Sequence, residues 1–376
     1  MNTLVTGDFP PLEHQPRILL GPGPSMVHPR ILAAMSTPLV GHLDPYFLQI
    51  MDRTQSLLRY VFETDNHLTI PISGTGSAAM EAAVVNFVEP GCRVLVLVNG
   101  LFGERLAEMA RRYGGEVAIL NRPWGEVFTA EQVQAELQRR PAQVVAMVHA
   151  ETSTGALQPL EDIIKLVHQQ DGIVIVDTVT SLGGMPVKVD ERGIDVCYSG
   201  TQKCLGVPPG LGPITIGPRA EQFLRARKAK VPSWYLDLNL VQAYWGSERT
   251  YHHTAPISMN YALYEGLRII LEEGREERCK RHVQNAQMLW NGLEELGLKM
   301  HVPLETRAPS LTTVRVPDDI NESQVRAKLL SEYNIEIAGG LGELKGRVWR
   351  IGLMGYSSSQ ENVNLLLGAL KHILNR

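Results

Sequence analysis

The stretch GIVIVD at residues 172–177 is apolar at both alternating positions and ends in a carboxylate. Because alternate residues of a strand face opposite sides of a sheet, this composition predicts a central strand that is buried on both faces. Six further strand-like runs lie between about residues 66 and 216, and helical patterns such as LFGERLAEMARRYG separate them. We therefore predict an α/β fold with a mostly parallel seven-stranded sheet sandwiched by helices. The other runs are HLTIPIS, RVLVLV, EVAIL, QVVAMVHA, DVCYSG and PITIG.

The C-terminal third of the chain has a different pattern. Long helical stretches follow residue 260, and strands near SLTTVRVP and GRVWRIGL precede a final helix near SQENVNLLLGALKHIL. With 376 residues, the chain also exceeds the length at which one hydrophobic core stops growing. We expect an extended N-terminal arm over residues 1–20, a large domain over 21–275 and a smaller C-terminal α/β domain over 276–376.

The overall composition argues against several functional classes. An apolar content of 44%, a charged content of 20% and a net charge of -4 indicate neither a polybasic nucleic-acid surface nor an acidic disordered tail. The four cysteines are scattered without a C-x-x-C pair, which is typical of a reducing compartment. The N-terminus has no signal-peptide pattern, and the apolar runs are far shorter than a membrane span needs. We expect a cytoplasmic protein that binds neither nucleic acid nor membrane.

The first stretch that indicates chemistry is SGTQK at residues 199–203, which follows the run DVCYSG. A lysine in a Gly/Ser/Thr-rich turn at a strand end can be dehydrated, which lowers its pKa and makes it an amine nucleophile. Asp177 at the end of GIVIVD could hold a proton on a pyridine nitrogen. Without further context, Lys203 would be interpreted as a solvated surface lysine and Asp177 as part of an Asx turn or a helix cap.

The second stretch, SGTGSAAMEAAV at residues 73–84, follows HLTIPI and continues into a helical pattern. Backbone N–H groups at such a turn, the helix dipole and the hydroxyls of Thr75 and Ser77 suit a phosphate group. The stretch lacks the lysine of a P-loop. Alone, it is equally compatible with a plain connection between a strand and a helix.

Eight motifs in the same order resemble those of the class V aminotransferases, from about residue 17 to the C-terminus. Within that class the chain is similar to the alanine:glyoxylate and serine:glyoxylate (serine:pyruvate) group. The resemblance implies a fold type I transferase dependent on pyridoxal 5'-phosphate. The motifs are GPGPS at 21–25, GTGSAAMEA at 74–82, NGLFGER at 99–105, HAETSTGALQP at 149–159, VDTVTSLGG at 176–184, YSGTQK at 198–203, YHHTAP at 251–256 and RIGLMG at 350–355.

The resemblance also implies roles for individual residues. Lys203 becomes the lysine that holds the cofactor as a Schiff base and carries the proton, and Asp177 becomes the partner of the pyridine nitrogen. Phe102 stands where many relatives have a tryptophan stacked on the ring, so an aromatic face is kept. The remaining cofactor positions are Thr75, Gly76, Ser77 and Gln202 for the phosphate, Thr152 for the ring hydroxyl and Val179 under the ring.

Four further residues are implied for the substrate and a partner subunit. Arg350 and Gly23 match substrate-binding positions, and a planar guanidinium suits a carboxylate. Without the resemblance, Arg350 would be interpreted as a surface charge. Tyr251 and Thr254 match residues that reach the phosphate of the other subunit, which implies a homodimer with shared sites. The histidines between them provide a weak case for metal binding because adjacent side chains diverge.

The implied reaction moves an amino group from alanine or serine to glyoxylate by a ping-pong mechanism, giving pyruvate or hydroxypyruvate and glycine. The sequence does not decide the amino donor. One alternative is another class V enzyme, either a serine:pyruvate aminotransferase or a cysteine desulfurase or lyase. A desulfurase needs a mobile C-terminal cysteine, whereas Cys279 lies in a charged helical pattern. A further alternative is a binding protein that keeps the fold without catalysis.

Overall fold

The computed structural model describes residues 9–13 and 15–376. The strands are β1 (Ile18–Leu19), β2 (Leu68–Ser73), β3 (Arg93–Val98), β4 (Glu116–Asn121), β5 (Val144–Val148), β6 (Ile173–Asp177), β7 (Val196–Tyr198), β8 (Leu211–Ile216), β9 (Lys299–Met300), β10 (Leu311–Arg315), β11 (Ile335–Glu336), β12 (Ala338–Gly339) and β13 (Val348–Gly352). The α-helices are α1 (Pro29–Met35), α2 (Pro45–Phe62), α3 (Gly76–Phe87), α4 (Leu101–Arg112), α5 (Ala130–Arg139), α6 (Glu161–His168), α7 (Val189–Arg192), α8 (Pro218–Arg225), α9 (Leu238–Trp245), α10 (Ile257–Glu273), α11 (Arg275–Glu295), α12 (Glu322–Tyr333) and α13 (Gln360–Leu374).

The central sheet has seven strands in the order β2-β8-β7-β6-β5-β3-β4. Strand β8 is antiparallel to both of its neighbours, and the other adjacent pairs are parallel. The predicted fold class is therefore confirmed, because all seven strand-like runs of the sequence form strands of this one sheet. Strands β2, β3, β5, β6 and β7 end at the same edge, which is where open α/β sheets bind their ligands.

Alternation along the central strands places side chains in two hydrophobic cores. In β3, Val94 and Val96 join the core on one face and Leu95 and Leu97 join the core on the other. Helices α3 and α4 cover the first face, and α5 and α6 cover the second. Each buried aliphatic side chain contributes roughly 1.5–3 kcal/mol. This burial fixes the strand ends, and with them the loops that carry the candidate site.

The C-terminal part forms a second sheet with its own core. Strands β12, β13, β10 and β9 pair antiparallel in that order, and α11, α12 and α13 pack on them. Gly274, with φ of +83°, separates α10 from α11. The division at residue 275 stays a prediction. Of the predicted arm, residues 1–8 and 14 lie outside the described residues, and β1 pairs in parallel with β11.

Candidate active site

Most of the predicted cofactor residues lie at or just after the ends of strands that finish at this edge of the sheet. Thr75 to Ser77 follow β2, Phe102 follows β3 and Thr152 follows β5. Asp177 is the last residue of β6 and pairs with Tyr198, the last residue of β7, four residues before Gln202 and five before Lys203. Parallel strands therefore bring together side chains that are more than 100 residues apart in the sequence.

Lys203 is buried, with 8% of its surface exposed. Its ammonium group donates a hydrogen bond to the Pro22 carbonyl of the GPGPS motif. Gly23 has a φ of +108°, and a Cβ atom there would lie 2.7 Å from Lys203 Cδ. Burial, together with the positive charge of Arg350, lowers the pKa of Lys203 to about 8. The amine is thus easier to deprotonate than an ordinary lysine, as a nucleophile requires.

Asp177 is held by two hydrogen bonds. Its Oδ1 accepts from the Val179 N–H at 2.8 Å, and its Oδ2 accepts from the Tyr198 hydroxyl at 2.8 Å. Burial raises the pKa of Asp177 to about 6, although both hydrogen bonds oppose the shift. A cationic group beside this buried carboxylate would stabilise its charged form. Tyr198 was not predicted as a site residue, although its place before SGTQK was a signal.

The turn before α3 has the features of a phosphate cradle. The N–H groups of Thr75, Gly76 and Ser77 have no acceptor among the described residues, and the Thr75 side chain does not cap the helix. A Cβ atom on Gly76 would lie 3.3 Å from the Gly200 Cα atom, so the glycine keeps the two loops close. The Gln202 Oε1 atom is buried without a partner in the described part of the chain. The unpaired backbone donors fit a phosphate group, and the Gln202 side chain would contribute its NH2 group as a further donor.

Helix α4, which carries Phe102, is capped by a different loop. Its first N–H group donates to Ser153 Oγ at 3.0 Å, and the next two donate to the Glu151 carboxylate at 3.4 and 3.3 Å. The fourth N–H group donates to the Gly100 carbonyl at 3.2 Å. A Cβ atom on Gly100 would lie 2.3 Å from Glu151 Cγ, so any side chain at position 100 would clash with the capping carboxylate. The N–H groups of Leu101, Phe102 and Gly103, which have no partner within the helix, are thus satisfied by this loop.

Glu151 and Ser153 lie in the HAETSTG stretch but were not predicted to have this role. Glu151 is fully buried, and burial raises its pKa while the hydrogen bonds from Ser153 oppose that shift. The carboxylate holds the backbone of Phe102 and so positions the aromatic ring. One signal of this role is visible in the sequence: α4 begins after Gly100, which has no side chain to cap the helix, so another segment has to supply the cap.

Arg350 is 5% exposed, so the interpretation as a surface charge is wrong. Its Nε donates to the Gly339 carbonyl at 2.8 Å, and one terminal nitrogen donates to the Thr152 carbonyl at 3.1 Å. The other terminal nitrogen has no acceptor among residues 9–13 and 15–376. Burial lowers the pKa of Arg350 to about 10. The group is therefore a buried cation with donors left for an anion.

Tyr251 and Thr254 are exposed. Tyr251 is 57% exposed, and its ring centroid lies 5.2 Å from that of His42. His253 between them contacts the hydroxyl of Ser73, next to the phosphate cradle, at 2.6 Å. In the described part of the chain, no three metal-ligating side chains are grouped to hold an ion.

Comparison with known proteins identifies close relatives. The family model described as "Aminotransferase class-V" matches residues 21–366. The solved structure of an alanine–glyoxylate aminotransferase from Nostoc sp. is 53% identical, has a TM-score of 0.96, and covers 98% of this chain and 97% of its own. The (S)-ureidoglycine–glyoxylate transaminase of Bacillus subtilis is 41% identical over 96% of this chain and 91% of its own. The alanine–glyoxylate aminotransferase of Rattus norvegicus is 42% identical over 97% and 89%.

Proposed function

Because the chain belongs to the class V aminotransferase family, whose members use pyridoxal 5'-phosphate, we propose that it transfers the amino group of alanine or serine to glyoxylate. The observation that carries the proposal is the buried Arg350 guanidinium, which lies close enough to Lys203 to lower its pKa. A small acid such as glyoxylate offers its carboxylate as the main binding group. Relatives with different amino donors also share glyoxylate in their names, which favours this acceptor.

The proposed roles follow the geometry of the site. The bound cofactor supplies an aldehyde carbon that takes up amines and a ring that withdraws electrons. Lys203 would bind that carbon and, once displaced by the substrate amine, its Nζ would move a proton from the substrate Cα. Asp177 would keep a proton at the ring nitrogen, and Arg350 would bind the substrate carboxylate, with Gly23 leaving room beside Lys203. Release of the first keto acid before the acceptor binds gives a ping-pong cycle.

The other cofactor contacts are proposed from the same arrangement. Phe102 lies in the first turn of α4 and Val179 lies in the loop after Asp177, and they would cover the two faces of the ring. The Thr152 hydroxyl, which is 2.5 Å from the Thr180 hydroxyl, would reach the ring hydroxyl. The phosphate would lie in the cradle of Thr75, Gly76, Ser77 and Gln202.

A panel of substrates tests the proposed reaction. Purified enzyme is assayed with alanine, serine, glycine and (S)-ureidoglycine as donors and with glyoxylate and pyruvate as acceptors, leaving out the pairs alanine–pyruvate and glycine–glyoxylate, which give no net reaction. We expect the highest kcat/KM for alanine or serine with glyoxylate, and parallel lines in double-reciprocal plots. Ureidoglycine is the second candidate donor, because its Bacillus subtilis transaminase is as similar to this chain as the rat enzyme is. A higher kcat/KM with ureidoglycine, or with pyruvate as acceptor, would reject the proposal.

Replacing Arg350 by alanine should damage glyoxylate turnover severely and affect a bulkier keto acid less. Losing one partner of a buried charge pair costs roughly 2–5 kcal/mol, which corresponds to a loss in kcat/KM of at least thirtyfold. Larger acceptors recover part of that loss through apolar contacts. Steady-state kinetics with glyoxylate and with a branched keto acid measures the difference.

Arg315 provides the matched control for this experiment. It lies on the adjacent strand β10 and is exposed, so Arg315→Ala should leave both acceptors unaffected. Equal and small losses for Arg350→Ala with both acceptors would mean that the carboxylate binds elsewhere.

We also propose a homodimer in which each site is shared. Exposed apolar side chains near Tyr251 support this proposal, since large apolar groups at a surface favour association. Trp234, Tyr46 and Leu43 are 61%, 51% and 45% exposed. Mixing inactive Lys203→Ala subunits with inactive Tyr251→Phe/Thr254→Val subunits should restore activity, because one site of each heterodimer is then intact. The measurement is activity after subunit exchange, relative to each parent alone.

Subunit exchange itself needs a control. Carrying an affinity tag on one parent shows by co-purification that heterodimers have formed. Heterodimers that form and stay inactive would contradict shared sites, and so would full activity of the Tyr251/Thr254 variant alone.

The desulfurase alternative is less well supported. Cys279 lies on helix α11, and burial raises the pKa of its thiol to about 11, so little thiolate is present at neutral pH.

Among the described residues, no helix is both long and apolar enough to cross a membrane. A cytoplasmic location stays a prediction from the sequence.

A further inference from the structure

Arg105, on the second turn of α4, contacts two parts of the candidate site. Its terminal nitrogen donates to Ser77 Oγ at 3.3 Å, and its Cζ atom lies 4.8 Å from the centroid of the Phe102 ring. The other N–H groups of the guanidinium have no acceptor in the described parts of the chain. The Arg105 guanidinium thus lies between the phosphate cradle and the aromatic ring, and most of its N–H groups are left to bind a ligand.

The nearby carboxylates do not neutralise this guanidinium. Glu108, one turn further along α4, pairs with Arg112 at 2.8 Å. Glu81, on the facing helix α3, accepts a hydrogen bond from the Tyr113 hydroxyl at 2.6 Å. Arg105 therefore remains available for an anion that is not part of the protein.

The phosphate cradle itself carries no formal charge. Thr75, Gly76, Ser77 and Gln202 are neutral, and the start of α3 provides the equivalent of roughly half a positive charge. A phosphate monoester carries about 1.5 to 2 negative charges near neutral pH. Hydrogen bonds from neutral groups alone leave much of that charge uncompensated.

We propose that Arg105 binds the phosphate of the cofactor, while its guanidinium also rests on the Phe102 ring. Arg105 then couples the phosphate to the stacking residue, and the Glu151 cap fixes the helix that carries both side chains. The inference rests on the cofactor placement proposed above. Arg105 would add to the cradle a positive charge from the same subunit, which suits a phosphate monoester dianion.

The test compares two cofactor forms that differ by the phosphate. Cofactor-free protein is titrated with pyridoxal 5'-phosphate and with pyridoxal, and the dissociation constants are measured by absorbance. Arg105→Gln should weaken binding of the phosphorylated form by on the order of tenfold to a hundredfold. Pyridoxal binding should change less than threefold. Arg105→Lys, which keeps the charge, should recover part of the loss.

Two further variants keep the outcomes distinct. Arg112→Gln removes a charge from the same helix far from the cradle and should bind both forms like the wild type. Ser77→Asp tests the placement itself, because an acidic residue suits the start of α3 but repels a phosphate. It should weaken binding of the phosphorylated form selectively. Thermal unfolding of the cofactor-free variants checks that each one folds.

The results separate failure of the inference from failure of the placement. A selective loss in Ser77→Asp with none in Arg105→Gln would reject Arg105 as a phosphate ligand and keep the cradle. Equal losses of both cofactor forms in Arg105→Gln would mean that Arg105 acts through Phe102 alone. If Ser77→Asp shows no selective loss, the phosphate lies elsewhere and the inference falls with the placement.

Discussion

Replacing Lys203 by alanine should abolish transamination and the visible absorbance of the lysine-bound cofactor, while the fold stays intact. The reason is that Lys203 supplies both the amine for attachment and the base for proton transfer. Proton transfer by a positioned side chain alone contributes roughly a hundredfold to ten-thousandfold. Absorbance spectra, turnover with alanine and glyoxylate, and circular dichroism measure the three parts of this expectation.

Lys165 provides a control for the general effect of losing a lysine. Its side chain is 72% exposed and pairs with Asp162 on the surface of α6, so Lys165→Ala should behave like the wild type. The Lys203 variant should still bind the cofactor without a covalent bond, because the cradle and Asp177 remain. A visible band of normal intensity together with normal turnover would remove Lys203 from its assigned role.

The strands of the central sheet could be predicted because their signal is local. Runs such as RVLVLV are apolar at every position after the first, and that composition suits only a strand buried on both faces. The same regularity predicted that Asp177 and Lys203 lie at one edge of the sheet, since parallel strands bring their ends together. Their roles, and those of the other cofactor residues, were implied by the resemblance to the class V aminotransferases.

Contacts between distant segments could not be predicted in this way. The Glu151 carboxylate caps a helix that begins 50 residues earlier in the sequence, and no periodicity relates the two segments. The burial of Arg350 depends on how strand β13 packs near the Thr152 loop, 198 residues away. Arg105 fits an ordinary exposed helix position in sequence, and its contacts with Ser77 and with the Phe102 ring distinguish it from Arg112.

Replacing Asp177 by asparagine should cut turnover by two orders of magnitude or more and leave the cofactor bound. A neutral amide cannot hold a proton at the ring nitrogen, so the ring withdraws electrons less strongly. The shape of the side chain is retained: its oxygen can accept from the Val179 N–H, and its NH2 group can donate to the Tyr198 hydroxyl oxygen. Turnover number and bound cofactor per subunit measure the two effects.

Asp171→Asn provides the matched control, because it makes the same substitution just before the opposite end of β6, where the side chain is exposed. It should leave turnover unchanged. Unchanged turnover in Asp177→Asn as well would exclude the carboxylate from the reaction.

Asp177→Asn should increase the stability of the cofactor-free protein, although it lowers the activity of the enzyme. Burial raises the pKa of Asp177 from 3.8 to about 6, so the folded state binds the proton more tightly than the unfolded state does. The free-energy cost of ionising the buried carboxylate in the folded state is absent below pH 3.8. It grows as the pH rises to about 6 and is complete above that value. Its size is on the order of 2–3 kcal/mol. Relative to the wild type, the asparagine variant should therefore gain stability between pH 4 and 7.

Urea unfolding of the two cofactor-free proteins at several pH values measures this difference. A stability difference that is constant with pH would mean that Asp177 does not ionise in this range. A loss of stability in the variant at every pH would mean that the hydrogen bonds to Val179 and Tyr198 outweigh the buried charge. The predicted combination, a less active enzyme with a more stable cofactor-free fold at neutral pH, is what a carboxylate retained for its charge should give, since its burial is compensated when a cationic ring nitrogen lies beside it.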